Sequence, residues 1–249
     1  MGPIRGVLAW QSVTDALLVA GADRDGRGEL AVLDLGGGTG ADAVRLAGLG
    51  HRVVVVDPSP DALAASARRA TESGVQIQGI LGDATDLAEH VAPASFDLVI
   101  CHGVLEFVAD PAQALESART VLRPGGWLSI MVASRVAAVA ARVAAGDIAG
   151  ARALVDAMPD ATWDSASLGP RRWLQVELDR LVAGHGFSPV VSQGVRVFAD
   201  SVPSAIAEGT PSERAELVEL ELQVRRNKEF AGHSAGLQTI ARLESVATT

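Results

Sequence analysis

The chain has 249 residues, of which 48% are hydrophobic, so it is long enough to bury a substantial core as one large domain. Its formal net charge is −9 at pH 7, so the average surface repels phosphates and a nucleic-acid partner would need a local basic patch. Cys101 is the only cysteine, which excludes an intrachain disulfide framework and a multi-cysteine zinc site.

Nothing in the sequence indicates export or a membrane span. The first residues, MGPIRG, contain neither the basic segment nor the apolar stretch of a signal peptide. The longest apolar run, at 53–56, has the length of a strand. We therefore expect a cytoplasmic protein.

Apolar runs of strand length alternate with alanine-rich helical stretches between residues 30 and 132. This alternation is typical of an α/β fold with a doubly wound parallel sheet and helices on both faces. Asp110 is expected to cap one helix, with Pro111 in its first turn. The predicted strands are 30–35, 52–56, 75–81, 96–101 and 126–132, and the predicted helices are about 40–49, 60–73 and 111–122.

The alternation is interrupted after residue 133. Two Ala/Val-rich helical pieces, 134–145 and 147–157, lead into an irregular segment at 158–170. We expect residues 134–171 to form a helical cap or lid within a single domain that spans residues 1–249. The later elements are predicted as a helix at 172–184, a strand at 187–198, a helix at 211–228 and a strand near 235–243.

A glycine-rich turn, 33-LDLGGGTG-40, follows the first predicted strand. Closely spaced glycines let backbone N–H groups approach a ligand, and the helix that follows favours negative charge at its N-terminus. Asp57 ends the second strand about twenty residues later, where an acidic side chain can accept hydrogen bonds from ribose hydroxyls. The turn also fits a dinucleotide fingerprint loosely, so by itself it predicts only a nucleotide-like ligand.

Further motifs help to decide which nucleotide-like ligand is bound. Their combination is not expected in an enzyme that uses a nicotinamide dinucleotide. Together with D-x-G-G-G-x-G at 34–40, residues 30–132 resemble the class I S-adenosylmethionine-dependent methyltransferases. The resemblance implies a seven-stranded, mostly parallel Rossmann-like sheet in the order 3-2-1-4-5-7-6. It also implies S-adenosyl-L-methionine as cofactor, S-adenosyl-L-homocysteine as product and no metal. The other motifs are 82-GDATDL-87, 95-SFDLVICHGVLEFVADP-111 and 122-LRPGGWLSI-130.

One branch of these enzymes is similar over a longer stretch, from about residue 5 to residue 243. The segments 102-HGVLEFVADP-111 and 193-QGVRVFADSV-202, with Arg5, Trp10 and Gln11 near the start, resemble the tRNA 5-carboxymethoxyuridine methyltransferases. This resemblance implies tRNA as partner and methylation of the carboxylate of a modified wobble uridine.

The resemblance also implies roles for individual residues. Asp34 is expected to steer the methionine amino group or to support the glycine loop. Plain structural alternatives are a helix N-cap for Asp83, a satisfied loop histidine for His102 and a solvated cation for Arg5. The implied cofactor contacts are Gly36, Gly37 and Gly38 under the methionine part, Asp57 on the ribose, Asp83 and Ala84 on the adenine, His102 beside the sulfonium, and Arg5 on the cofactor carboxylate.

Methyl transfer depends more on the alignment of acceptor, methyl carbon and sulfur than on acid–base groups. The sulfonium already activates the methyl carbon, so transfer is an in-line displacement. A carboxylate acceptor is ionised at neutral pH and needs no general base, whereas a hydroxyl or amine acceptor would use one, for which His102 is the candidate. A basic residue should hold an acceptor carboxylate, and the candidates are Arg196, then Arg171, Arg172 and Arg135.

The distribution of charged residues does not decide which molecule accepts the methyl group. The segment 160-DATWDSASLG-169 carries two aspartates where the tRNA enzymes carry lysines, and the cluster 225-RRNK-228 is small. Three functions stay open. If the protein acts on tRNA, we expect a continuous positive surface from the lid across Arg171 to Arg226. If it is a small-molecule O- or N-methyltransferase, we expect a closed apolar pocket under 134–173. If it is a non-catalytic S-adenosylmethionine-binding module, we expect an acceptor pocket too small for a substrate.

Overall fold

The computed structural model describes residues 4–22, 28–160, 162–203 and 209–244. The strands of the described residues are β1 (Ala31–Leu35), β2 (Arg52–Asp57), β3 (Gln78–Leu81), β4 (Phe96–His102), β5 (Leu122–Ala133), β6 (Phe187–Val195) and β7 (Gly236–Leu243). They form one sheet in the order β3-β2-β1-β4-β5-β7-β6, which confirms the predicted order. Neighbouring strands are parallel except that β7 is antiparallel to β5 and β6.

Helices cover both faces of this sheet, as predicted. Asp110 caps α5 by accepting hydrogen bonds from the N–H groups of Ala112 and Gln113. Each helix in the described ranges is too short or too polar to span a bilayer. The helices are α1 (Ile4–Ala22), α2 (Ala41–Gly48), α3 (Pro60–Glu72), α4 (Leu87–His90), α5 (Pro111–Val121), α6 (Arg135–Ala144), α7 (Ile148–Asp156), α8 (Ser165–Leu168), α9 (Gln175–Gly184), α10 (Pro211–Val224) and α11 (Lys228–Ala231).

Two apolar cores lie on the two faces of the sheet, because successive side chains of a strand point to opposite sides. Leu33 and Val99 belong to one core, which also contains Leu115 of α5 and Leu178 of α9. The neighbouring residues Val32 and Leu98 belong to the other core, with Val13 of α1 and Leu46 of α2. The central strands are therefore buried on both sides, which explains their continuous apolar sequences.

The parallel register brings the carboxyl ends of the central strands to one edge. Leu35 at the end of β1 pairs with Val56 of β2 and with Cys101 of β4. The next residues along β2 and β4, Asp57 and His102, therefore lie side by side with the start of the glycine turn. Ligands of open α/β sheets bind at this edge.

The predicted strand 187–198 is too long at its end, because β6 stops at Val195. Arg196 has a φ of +58°, which breaks the extended backbone. The next three N–H groups, of Val197, Phe198 and Ala199, donate to the carboxylate of Glu221 on α10 at 2.8, 2.8 and 2.7 Å. Glu221 thus replaces a strand partner for these backbone groups.

Replacing Glu221 by glutamine tests this contact. A glutamine side chain has one acceptor oxygen, and its NH₂ group would face backbone N–H donors, so we expect the free energy of unfolding to fall by about 1–3 kcal/mol. Urea denaturation measures the change. Glu219→Gln, an exposed change on the same helix, is the matched control. Equal stability of the two variants would contradict the role given to Glu221.

Candidate cofactor and acceptor site

A cavity of about 570 Å³ opens at the carboxyl ends of β1, β2 and β4. Its walls combine the glycine turn, the end of β2 and the loop after β4, so motifs far apart in the sequence meet in one place. The lining residues are Leu35, Gly36, Val56, Asp57, Pro58, Gly82, Asp83, Ala84, Thr85, Gly103, Val104, Phe107, Val108 and Ala109.

Gly36 forms the floor of this cavity and needs to be glycine. Its φ is +66°, and a Cβ atom at this position would lie 2.5 Å from Cγ2 of Val104. The N–H of Gly36 donates to the carbonyl of Val56 at 2.7 Å, which fixes the turn to β2. The turn therefore packs against both neighbouring loops and leaves its backbone open to a ligand.

Asp57 is buried and holds the two loops beside it. Its Oδ2 accepts a hydrogen bond from the Gly38 N–H at 2.9 Å, and its Oδ1 accepts one from the Ser59 N–H at 2.9 Å. An ionised carboxylate offers about four acceptor positions, so about two remain for a ligand. Because Asp57 lines the cavity, these positions suit a pair of sugar hydroxyls.

Asp34 lies beneath the glycine turn and does not line the cavity. A Cβ atom at Gly37 would be 2.5 Å from Oδ2 of Asp34, so the turn rests on this carboxyl group. Burial, with the nearby charges of Asp42 and Asp57, raises the pKa of Asp34 to about 7. The carboxyl group is therefore partly protonated at neutral pH.

Asp83 and Ala84 line the cavity on the side of β3. The Oδ1 of Asp83 accepts hydrogen bonds from the N–H of Thr85 at 3.0 Å and from its hydroxyl at 2.8 Å. The N-cap position of α4 is occupied by Asp86, so the alternative of a helix cap for Asp83 is wrong. Ala84 is buried and contributes to the same wall.

His102 ends β4 and precedes Gly103, which lines the cavity. Its Nε2 lies 2.8 Å from the hydroxyl oxygen of Ser129 on β5. Burial lowers the pKa of the imidazole to about 4, so the ring is neutral at pH 7. His102 itself does not line the cavity.

Two of the predicted arginines lie away from the cavity. Arg5 on α1 is exposed, and its Nε donates to Oδ1 of Asp200 at 2.9 Å. Arg196 approaches the other oxygen of Asp200 at 3.8 Å. The geometry does not support Arg5 as a ligand of the cofactor carboxylate or Arg196 as a ligand of the acceptor, because Asp200 holds both side chains elsewhere.

Arg171 and Arg135 are buried and serve the fold. The guanidinium of Arg171 donates to the carbonyls of Leu105, Val108, Ala109 and Asp160. These four bonds join the loop after β4 to the segment before α8. They use both terminal nitrogens of Arg171, whereas its buried Nε has no hydrogen-bond partner among the described residues.

Arg135 pairs with Glu177 at 2.8 Å and donates to the carbonyl of Arg172 at 3.3 Å. Arg172 therefore stays as the predicted acceptor ligand, since its side chain makes no hydrogen bond among the described residues. Its charge lowers the pKa of Glu106, although burial raises that pKa more strongly.

A second cavity, of about 510 Å³, adjoins the first and shares Phe107, Val108 and Ala109 with it. Glu106 lines it with a buried carboxylate whose Oε2 has no hydrogen-bond partner, while Oε1 accepts from the Ala133 N–H at 2.8 Å. The other lining residues are Trp163, Ser165, Pro170 and Arg171.

Glu106 and Phe107 are site residues that the sequence analysis missed. Phe107 is 74% exposed between the two cavities. Their position directly after the end of a central parallel strand is the signal that could have identified them. Among the described residues there is no cluster of three or more side chains able to hold a metal ion.

Replacing Asp34 by asparagine tests the buried carboxyl group. The folded pKa is raised above the ordinary 3.8, so the folded state keeps a proton that the unfolded state loses. Stability should therefore fall as pH rises from about 4 to about 7, by about 1.4 kcal/mol per unit of pKa shift.

The asparagine side chain of this variant stays neutral at every pH. We expect Asp34→Asn to unfold at a higher urea concentration than the native protein near pH 8 and to differ least near pH 4. Asp61→Asn, an exposed change on α3, is the control. Parallel pH profiles of the native protein and Asp34→Asn would refute the raised pKa.

Comparison with known proteins identifies the domain that contains the first cavity. Residues 33–130 match a family described as a methyltransferase domain. The chain is 38% identical over 132 residues to the tRNA 5-carboxymethoxyuridine methyltransferase of Escherichia coli K12. This alignment covers 52% of this chain and 48% of that protein. It is 35% identical over 115 residues to the ubiquinone biosynthesis O-methyltransferase of Xanthomonas euvesicatoria, and this alignment covers 46% of this chain and 48% of that protein. The matches thus span about half the length of these curated relatives.

A solved structure agrees with this match at the level of the fold. The magnesium protoporphyrin IX methyltransferase of Synechocystis PCC 6803, with SAH bound, superposes with a TM-score of 0.60 at 15% identity. The superposition covers 96% of this chain and 85% of that chain. Residues 33–130 thus match a methyltransferase domain, and the sheet has the class I methyltransferase fold.

Proposed function

We propose that this protein is an S-adenosylmethionine-dependent methyltransferase that binds its cofactor in the first cavity. One observation carries the proposal. Within the matched domain, the glycine turn and Asp57 form a single wall in which a Cβ atom at Gly36 would not fit and two carboxylate acceptor positions stay open. A nucleoside with an extended amino-acid tail matches a cavity of this volume and these walls.

Different residues of the site would contact different parts of the cofactor. Asp57 would accept the two ribose hydroxyls, and Asp83 and Ala84 would border the adenine. Asp34 would support the turn and, when ionised, attract the ammonium of the methionine part. The cofactor supplies a methyl group that its sulfonium already activates. The protein would therefore contribute alignment and exclusion of water rather than a nucleophile.

We further propose that the acceptor is a carboxylate, as in the tRNA 5-carboxymethoxyuridine methyltransferase to which the chain is similar. A carboxylate needs no general base. Arg172 lies beside Trp173, which pairs with Ser134 just past the end of β5, on the same edge of the sheet as His102. Its uncommitted guanidinium would hold the acceptor in line with the methyl group. A tRNA acceptor would also fit the cytoplasmic location expected from the sequence.

A small-molecule O- or N-methyltransferase is the second candidate, and one observation favours it. Two arginines of the positive surface expected for tRNA are not available, because Arg171 is buried among carbonyls and Arg225 is paired with Asp15. The second cavity would then be the acceptor pocket, with Trp163 and Ser165 of the proposed lid 134–171 in its wall. Glu106 and Arg171 also line it, so it is more polar than the apolar pocket expected for this alternative. Its volume also disfavours the non-catalytic alternative, which expects little space beside the cofactor.

Asp57→Ala tests the cofactor site. Removing a charged acceptor of two hydrogen bonds should weaken S-adenosylhomocysteine binding by at least about 30-fold, measured by titration calorimetry. Asp61→Ala, an exposed change on α3, is the control and should bind as the native protein does. Asp57→Asn keeps an acceptor for one backbone N–H and should be intermediate. Native affinity in Asp57→Ala would rule out the proposed ribose contact.

The acceptor is tested by transfer of a labelled methyl group to total tRNA and, separately, to a small-molecule extract. A carboxylate acceptor predicts label in tRNA that mild alkali releases as methanol, because the product is an ester. Arg172→Gln should lower this transfer roughly tenfold or more, whereas Arg152→Gln, an exposed change on α7, should not. Label only in the extract would refute the tRNA acceptor, and label in neither would favour the non-catalytic module.

A further inference from the structure

A continuous line of polar side chains, buried except for the half-buried His102, crosses the sheet from His102 to α1. It runs from His102 on β4 to Ser129 on β5, Gln238 on β7, Gln193 on β6 and Asp15 on α1. Consecutive members lie 2.8, 3.0, 2.8 and 2.8 Å apart. Ser129 and Gln238 are fully buried, and Gln193 and Asp15 are nearly so. Buried polar groups of this kind need partners, so the direction of each hydrogen bond is constrained by the next.

The far end of the line fixes the orientation of Gln193. Asp15 is an acceptor only, and it is held by both terminal nitrogens of Arg225. The amide nitrogen of Gln193 must therefore face Asp15. Its oxygen Oε1 accepts from Nε of Arg226 at 3.0 Å, and Arg226 can only donate. A flipped amide would place donor against donor and acceptor against acceptor.

Gln238 is fixed in the same way. Its Oε1 accepts from Nε2 of Gln193 at 2.8 Å. Its Nε2 donates to the backbone carbonyl of Ser12 at 2.8 Å, which is an acceptor only. The second N–H of the same amide then points to the hydroxyl oxygen of Ser129 at 3.0 Å. Ser129 therefore accepts a hydrogen bond from Gln238.

One hydrogen-bond acceptor is available to the hydroxyl proton of Ser129. Among the described residues, the side chain of Ser129 contacts only Gln238 and His102 as hydrogen-bond partners. If Nε2 of His102 were the donor, the serine proton would be buried without an acceptor, which is unfavourable. Ser129 must then donate to Nε2 of His102.

We propose that this line of hydrogen bonds locks His102 in the tautomer that carries its proton on Nδ1, so that the ring has an N–H donor available next to Gly103 of the cavity wall, for an acceptor carboxylate bound at the end of β4. Nδ1 has no partner among the described residues. The role toward the acceptor rests on the proposed methyltransferase function, whereas the tautomer does not. Ser129 and Gln238 act as positioning residues.

The locked tautomer has a consequence for the choice of acceptor. A neutral ring protonated on Nδ1 and occupied by Ser129 on Nε2 has no free lone pair. It can donate to a carboxylate oxygen, but it cannot take a proton from a hydroxyl or amine. His102 therefore favours a carboxylate acceptor and is unsuited to serve as the base that the second candidate would use.

Nitrogen NMR of the protein without ligand tests the tautomer directly. Long-range 1H–15N spectra near neutral pH separate the two tautomers of each of the five histidines, and loss of one set in His102→Gln assigns His102. We expect a protonated Nδ1 and an unprotonated Nε2 in the native protein. A protonated Nε2 would overturn the proposal without any variant.

Ser129→Ala should release the lock and shift His102 toward the Nε2-protonated tautomer. Ser234→Ala removes a buried hydroxyl outside the line and should leave the His102 signals unchanged. Methyl transfer by Ser129→Ala should be slower by roughly tenfold with unchanged affinity for S-adenosylhomocysteine.

The two proposals fail separately. An Nδ1-protonated ring in a protein without transferase activity would refute the function alone. Unchanged His102 signals in Ser129→Ala would refute the lock alone.

Discussion

The hydrogen bond from the Gly38 N–H to Asp57 is the contact on which the site depends. It joins the glycine turn after β1 to the end of β2 at 2.9 Å. This bond can form because β1 and β2 are parallel neighbours whose carboxyl ends lie level, with Leu35 paired to Val56. It orients the carboxylate toward the cavity and holds the turn open. Gly36 and Asp57 thus contribute to one continuous wall of the cavity.

The second organising feature is the polar line from Asp15 to His102. It ties α1 to four neighbouring strands of the sheet, so the position of α1 and the state of the histidine are coupled. Glu106 and Arg171 join the loop after β4 to β5 and to the segment before α8 in a similar manner. The cavity edge is therefore held by buried polar contacts on the β4 side and by backbone packing on the glycine side. This arrangement suits a reaction that needs alignment more than acid–base groups.

The sequence predicted strands β1 to β5, helices α2, α3 and α5 and the place of Asp57, because strand periodicity and the glycine turn are local signals, but it did not predict the short helix α4. It did not predict which arginines are free. Arg171 is surrounded by carbonyls of Leu105, Val108 and Ala109, which lie 62 to 66 positions away in the chain. The end of β6 was missed for the same reason, since Glu221 reaches it from α10. Contacts of this range depend on how the elements pack, and a local pattern carries no record of them.

A crystal structure with S-adenosylhomocysteine tests the central claim most directly. The account predicts the ligand in the first cavity, with both ribose hydroxyls within hydrogen-bond distance of Asp57 and the adenine between Ala84 and the loop that contains Phe107. The Gly38 N–H should still donate to Asp57. A ligand bound elsewhere, or a cavity that closes when the ligand is added, would contradict the account.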